Sequence, residues 1–264
     1  MIEAIAAGLL GLLIGSFLNV CIYRLPRDLT VWSPARSFCP ACERSIAWYD
    51  NLPVVSYLGL RGRCRHCGER IPVRYLLTEV LCGTMFFVSA WFWGWSLVAG
   101  KMMMFSAINL TLFFSDLEER ILPDEFTLGG VAAGLVWAFF VALPMGLTML
   151  FLPLDTPARW ISVAEGGFAA GLAYGSFRLL GWSYERFRGR EGLGMGDMKM
   201  VAMFGAFLGL MSMLEAILIG SVLGSVLGLA FIKLRREDSA QYELPFGSFL
   251  AVGAMATAWL EALR

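Results

Sequence analysis

The sequence is poor in charge and nearly devoid of histidine. Of its 264 residues 16% are charged, and the single histidine is His66. That residue lies inside "GRCRHCGE", so a Ser–His or Cys–His catalytic pair would have to draw it from a cysteine motif. No HExxH stretch exists, which removes that route to a zinc protease. No glycine-rich fingerprint between a strand and a helix marks a nucleotide cofactor. The first apolar run has Glu3 in front of it and no Lys or Arg before Arg24. A secretory signal needs a basic leading region, so the run is expected to remain as a membrane span. Net charge is zero, so the total says nothing about acidic partners.

What the chain has in excess is apolar surface. It is 58% hydrophobic with a mean hydropathy of +0.67, against about 45–50% apolar for a soluble domain. The expected class is an all-α polytopic membrane protein embedded in a lipid bilayer. Spans are expected at Ile2–Tyr23, in a double run Leu76–Phe114 turning near Gly100–Lys101, at Leu128–Leu152 and at Ile161–Trp182. A second double run, Met198–Leu234, has Glu215 near its turn, and Phe246–Leu263 closes the chain. At about 20 residues per span, this gives about eight transmembrane helices.

Basic residues set the orientation. Nine Arg lie in residues 24–74; Arg120 follows the third span, Arg186, Arg188, Arg190 and Lys199 the fifth, and Lys233, Arg235 and Arg236 the seventh. The alternate loops hold only Lys101, Arg159 and Arg264. The positive-inside rule puts the four basic loops in the cytosol and both termini outside. Arg178 is close enough to the cytosolic end of its span to snorkel. Three parts result: 1–23 a first span, 24–75 a cytosolic loop, and 76–264 a seven-helix membrane core.

The loop holds Cys39-x2-Cys42 and Cys64-x2-Cys67, with 21 residues between the pairs. Four thiolates at that spacing suit a tetrahedral structural zinc, with Pro40, Gly62 and Gly68 placed for tight turns. Redox pairing and free thiols are the alternatives; a reducing cytosol disfavours disulfides. A closed four-sulfur site folds the loop and does no chemistry. Cys21 and Cys82 lie in expected helices and read as small packing residues. An Arg-rich zinc loop can also suggest nucleic acid, but these Arg set topology against an anionic leaflet, so no nucleic acid partner is expected.

Carboxylates at membrane level are the candidates for chemistry. Asp116 closes the third span in "LFFSDLEERILPDEFTL", and Asp197 opens the sixth in "LGMGDMKM". Both fall at the cytosolic boundary. Facing each other, they could share one proton and polarise a water for attack on a peptide carbonyl. Glycines at 194 and 196 would allow close approach. The bland reading makes both water-facing helix-end residues. It suits Asp197, which a helix N-terminus stabilises, better than Asp116, which a helix C-terminus repels. A Ser–Lys pair stays open. So do a proton-coupled transporter, which would want ionisable groups deeper in the bilayer or paired broken helices, and a non-catalytic assembly factor whose zinc loop binds a partner.

The chain resembles the type IV prepilin peptidases, membrane aspartyl proteases of pilus and type II secretion systems. The likeness runs through "GSFLNVCIYRLP", the two CxxC pairs, "NLPVVSYLGLRGRCRHC", "DLEERILPDEFTL", the GxGD at Gly194–Asp197 and "LPFGSFLAVG". GxGD alone is short and shared with presenilin-like proteases; the ordered set is specific. The resemblance implies an eight-helix protease of the bacterial inner membrane, with Asp116 and Asp197 catalytic at the cytosolic face. Family members commonly read D-x-D-H at the first motif, where this chain has Asp116, Glu118 and Glu119; any role of that His is in doubt here. Asp124 is expected to cap the next helix or orient its loop. The implied substrates are prepilins or pseudopilins, with a basic leader that Glu118, Glu119 and Glu125 could attract. Pilus or secretion assembly components are possible further partners. The resemblance also implies methylation of the new N-terminus from S-adenosylmethionine; Glu79 is the one candidate for contacting amine or cofactor, with snorkelling as its alternative.

Overall fold

The computed structural model describes residues 1–34, 36–144, 146–153, 155–189, 194–235 and 245–263. Arg190, Arg236 and Arg264 of the charge pattern, and Leu244 of the last motif, fall outside them. The described residues form helices and no strand, only two isolated bridges. In order they are α1 (Ile2–Arg24), α2 (Val55–Gly59), α3 (Val73–Trp93), α4 (Leu97–Glu119), α5 (Asp124–Phe140), α6 (Ala158–Arg188), α7 (Met195–Leu208), α8 (Leu210–Arg235) and α9 (Phe246–Ala262). Four of them start directly after a proline, Pro72, Pro123, Pro157 or Pro245. Proline resists helix on its N-terminal side and leaves the next residues free to begin one.

Among the described residues four helices are long and apolar enough to cross a membrane: Ile2–Arg27 (with its 3-10 extension), Val73–Trp93, Leu97–Glu119 and Leu210–Ala230. With 17, 14 and 17 residues, α5, α7 and α9 fall short of the usual length.

Three expected boundaries move. The first double run turns at Gly94, not at Gly100–Lys101. Gly94 takes φ 59°, closing α3, and the Ser96 hydroxyl accepts the Ala99 N–H to open α4. The second turns at Gly209, φ 77°, well before Glu215, which lies inside α8. The expected span Leu128–Leu152 stops being α-helical after Phe140, with a single 3-10 turn at Leu147–Leu150 beyond it. Its remainder, carrying Pro144 and Gly146, is anchored from α6 instead. Ser162 Oγ accepts the Leu143 N–H at 2.9 Å, and Glu165 Oε2 accepts from the Thr148 hydroxyl at 2.7 Å. Hydropathy cannot distinguish an apolar helix from an apolar loop whose N–H groups find side-chain acceptors.

The chain divides into two compact units, Met1–Phe114 and Ser115–Arg264. In the first, α1 and α3 run antiparallel and very close. A Cβ on Gly11 would stand 2.7 Å from the Cys82 carbonyl oxygen, and one on Gly15 2.8 Å from the Glu79 Cα. Small residues recur every three or four positions on this face of α1 (Ala4, Ala7, Gly11, Gly15), and that lets two backbones meet in lipid. Cys21 and Cys82 are buried among them, as expected of packing residues.

In the second unit the same device seats α7. Gly134 of α5 and Gly166 of α6 press on Ala206, and Gly205 presses on Ala169 and Ala170. Every residue of α7 from Met200 to Leu208 is buried. A short helix enclosed in this way is a rigid mount for whatever its first turn carries.

Candidate active site and metal centre

Asp116 sits in the last turn of α4 and is 6% exposed. Arg120 ends that helix with φ 57° and its N–H on the Asp116 carbonyl, turning the chain toward α5. A helix C-terminus is a poor place for an anion, and the compensation comes from another helix. Ser248, in the first turn of α9, donates its N–H to Asp116 Oδ2 at 2.6 Å and its hydroxyl at 3.0 Å. Asp116 therefore lies against the N-terminus of α9, where unpaired N–H groups and the helix dipole favour negative charge.

Asp197 occupies the first turn of α7. Among the described residues its Oδ1 is covered and has no hydrogen-bond partner. The two carboxylates converge on Gly247. A Cβ there would stand 3.1 Å from Asp116 Oδ2 and 3.2 Å from Asp197 Oδ1, so those oxygens are at most twice that reach apart. Gly194 is as tight, with Asp197 Oδ2 3.2 Å from where its Cβ would be. Gly196 serves a different purpose, fitting against Leu122. A cavity of about 270 Å³ opens over the pair, lined by Asp116, Arg120, Asp124, Asp197 and Lys199 among others.

Two carboxylates this close, one with an unpartnered buried oxygen, do not both carry charge cheaply. One proton between them makes one acid and one base, the arrangement that activates a water and protonates a leaving group. Glu118, Glu119 and Glu125 are not among the residues lining the cavity, whose wall carries two cations instead. Asp124 does not cap α5: Pro123 holds the cap position, and the Asp124 carboxylate takes Lys199 Nζ at 2.7 and 2.9 Å. Gly247 and Ser248 were not singled out from the sequence. They lie more than a hundred residues from Asp116, and the signal available was the order Pro-Phe-Gly-Ser at a helix start.

The four loop cysteines come together with all Sγ atoms within 4.8 Å of one another, and Cys39 and Cys67 at 3.8 Å. A tetrahedron with Zn–S bonds of ~2.3 Å has edges of roughly 3.8 Å, so the set fits zinc. Each pair makes the same turn. The first cysteine's carbonyl accepts from a residue with positive φ, Glu43 (57°) or Gly68 (74°), and its N–H donates to Arg44 or Glu69. N–H groups of Cys67 and then His66 pull the Cys64 thiol down to about 7, favouring the thiolate a metal needs. Arg65 forks onto Asp50, tying the second turn to residues 48–51.

Two buried groups in the first unit hold the loop. Arg24 donates to the carbonyls of Thr30, Val31, Pro34 and Arg36. Glu79 Oε2 accepts the Val54 N–H at 2.8 Å, where Val54 takes φ 63°. Glu165, 1% exposed in α6, was also passed over in the sequence. It accepts from Thr148 N–H and, at 3.4 Å, from Leu210 N–H, the first residue after the Gly209 break.

Residues 9–93 match the bacterial peptidase A24 N-terminal domain, and residues 103–229 the type IV leader peptidase family. Proteins named prepilin leader peptidase/N-methyltransferase are similar over most of the chain. The one from Pseudomonas putida is 34% identical over 96% of this chain and 89% of its own length. The Neisseria gonorrhoeae protein is 36% identical over 83% and 79%, and the Myxococcus xanthus protein 38% over 84% and 61%. No solved structure matches the chain.

Proposed function

This chain belongs to the type IV leader peptidase family, and from that premise we propose that it cleaves the leaders of prepilins or pseudopilins with Asp116 and Asp197 as its catalytic pair. The observation that carries the reading is the convergence of both carboxylates on Gly247 beneath one cavity. Asp116, held by two donors from Ser248, acts as the base that takes a proton from the attacking water. Asp197 gives its proton toward the peptide carbonyl oxygen as the tetrahedral intermediate forms. The pair then returns a proton to the leaving amine.

Methylation of the new N-terminus is the second activity for which the relatives are named. S-adenosylmethionine would supply the methyl group. Glu79 is the one residue proposed on the amine or cofactor side, and its Oε2 is engaged by the Val54 N–H. Cys39, Cys42, Cys64 and Cys67 hold a structural zinc that folds residues 24–75, ahead of the membrane core 76–264.

The remaining helices complete about eight spans in a bacterial inner membrane. The basic loops and the aspartate pair lie on the cytosolic side, where a basic leader would arrive. A transporter built on the same two aspartates would want further ionisable groups deeper in the bilayer, and the buried Glu165 is committed to Thr148 and Leu210. The test is a cleavage assay. Detergent-purified protein is incubated with a prepilin, and the mass of the product is followed for loss of the leader and gain of a methyl group. Intact prepilin after prolonged incubation with folded protein overturns the reading.

A further inference from the structure

The cavity over the aspartate pair also takes in Lys199 and Asp124, which the hydrolysis above does not use. Lys199 is two residues beyond Asp197 on α7, and its ammonium lies across both oxygens of Asp124 at the start of α5, at 2.7 and 2.9 Å. The Lys199 side chain is only 20% exposed, whereas Asp124 is 57% exposed. The pair is partly exposed, and it is the contact with both oxygens of one carboxylate that gives the Lys199 ammonium a defined place. On the other side of Asp197, Gly196 fits against Leu122, two residues before Asp124. The turn that carries Asp197 is therefore held against residues 122–124 from both flanks.

We propose that Asp124 is a positioning residue that keeps the Lys199 ammonium away from the aspartate pair. The inference rests on the reading that Asp116 and Asp197 are catalytic. Lysine is a point charge on a flexible four-carbon stem, and it reorients when its partner is lost. With Asp124 neutral, the anions left in the cavity wall among the described residues are Asp116 and Asp197, and the one other cation there is Arg120. An ammonium bonded to the pair displaces the shared proton and takes the space of the attacking water. The route is the cavity itself: Asp116, Asp197 and Lys199 all line it, so an ammonium released from Asp124 shares open space with the pair.

The test compares kcat and KM for prepilin cleavage by the full-length protein and its Asp124→Asn, Lys199→Gln and double variants. Asp124→Asn should lose about tenfold or more in kcat with KM nearly unchanged, the scale of coupling between contacting residues. Lys199→Gln should lose less. The double variant should recover to the Lys199→Gln level, because the displaced charge is gone, and Asp124→Glu should stay close to wild type. A double variant no better than Asp124→Asn, or an Asp124→Asn enzyme at the wild-type rate, overturns the proposal. Thermal unfolding of each variant separates loss of fold from loss of rate, and Asp124→Ser replaces Asp124→Asn if the latter does not fold. Asp197→Asn in the same assay keeps the two questions apart: if it still cleaves, the catalytic reading itself has failed.

Discussion

Ser248 gives both of its hydrogen-bond donors to one oxygen of Asp116, the N–H at 2.6 Å and the hydroxyl at 3.0 Å. The contact joins residues 132 positions apart and brings the N-terminus of one helix to the C-terminus of another. It reverses the electrostatic expectation for Asp116, which on its own helix sits at the repelling end. Ser248→Ala keeps the N–H contact and removes the hydroxyl, so cleavage should fall by roughly three- to tenfold. Gly247→Ala is harsher, because its Cβ must push on both carboxylates. Cleavage should drop by roughly tenfold with the protein still folded, the carboxylates shifting by a fraction of the ~1 Å that can cost about 100-fold. Wild-type rates in Gly247→Ala would mean that the carboxylates do not meet there.

Asp116→Asn and Asp197→Asn should each abolish cleavage while prepilin binding persists. Aspartate-to-glutamate changes should be nearly as damaging, since one methylene displaces the carboxylate by ~1 Å, a shift that can cost about 100-fold. The rate should also decline at high pH as the shared proton is lost. Single-turnover assays on purified variants measure all of this.

The cysteine centre should carry about one zinc per chain, with Zn–S near 2.3 Å by X-ray absorption. Because the loop's N–H groups bring Cys64 down to about 7, its thiolate is present above that pH and protonated below it. The Cys67 thiol beside it is pushed up to about 12, so zinc uptake by metal-free protein releases protons and should weaken steadily as pH falls. Cys64→Ser should loosen the loop and lower the yield of folded protein, since binding and folding are linked. Protein purified without chelators and found free of metal by elemental analysis would end the assignment.

A single cysteine at Ser45, in a background lacking reactive native thiols, should resist an impermeant reagent in intact cells. One at Thr156 should react. The opposite pattern would put the aspartate pair on the wrong side of the membrane for a cytosolic leader.

Glu165→Ala should destabilise the second unit. It strips the acceptor from the Thr148 hydroxyl and N–H and from the Leu210 N–H, and each buried group left unpaired costs about 1–3 kcal/mol. Glu165→Gln keeps a carbonyl acceptor and should lose less. Thermal unfolding in detergent reads the difference.

Much of this molecule was legible in the sequence because its signals are local. A long apolar run declares a helix wherever it folds, and α1 and α9 end within a residue of where hydropathy put them. Two CxxC pairs declare four ligands because the spacing within each pair builds its own turn. The two aspartates stood out because an ionised group beside an apolar run needs a reason. The ordered motifs also named the family that the relatives share.

Other features were decided only by tertiary structure. The turns at Gly94 and Gly209 depend on backbone conformations that composition does not reveal. The apolar stretch after Phe140 leaves the α-helix where Ser162 and Glu165 accept the N–H groups of Leu143 and Thr148. Asp116 is tolerated at a helix C-terminus because Ser248 arrives from α9, and the Lys199 ammonium is paired with Asp124 at the start of α5. In each case a polar group is satisfied by a residue distant in the chain. One-dimensional patterns report which residues prefer to leave water, whereas hydrogen bonds and ion pairs depend on which residues the packed helices bring within about 3 Å.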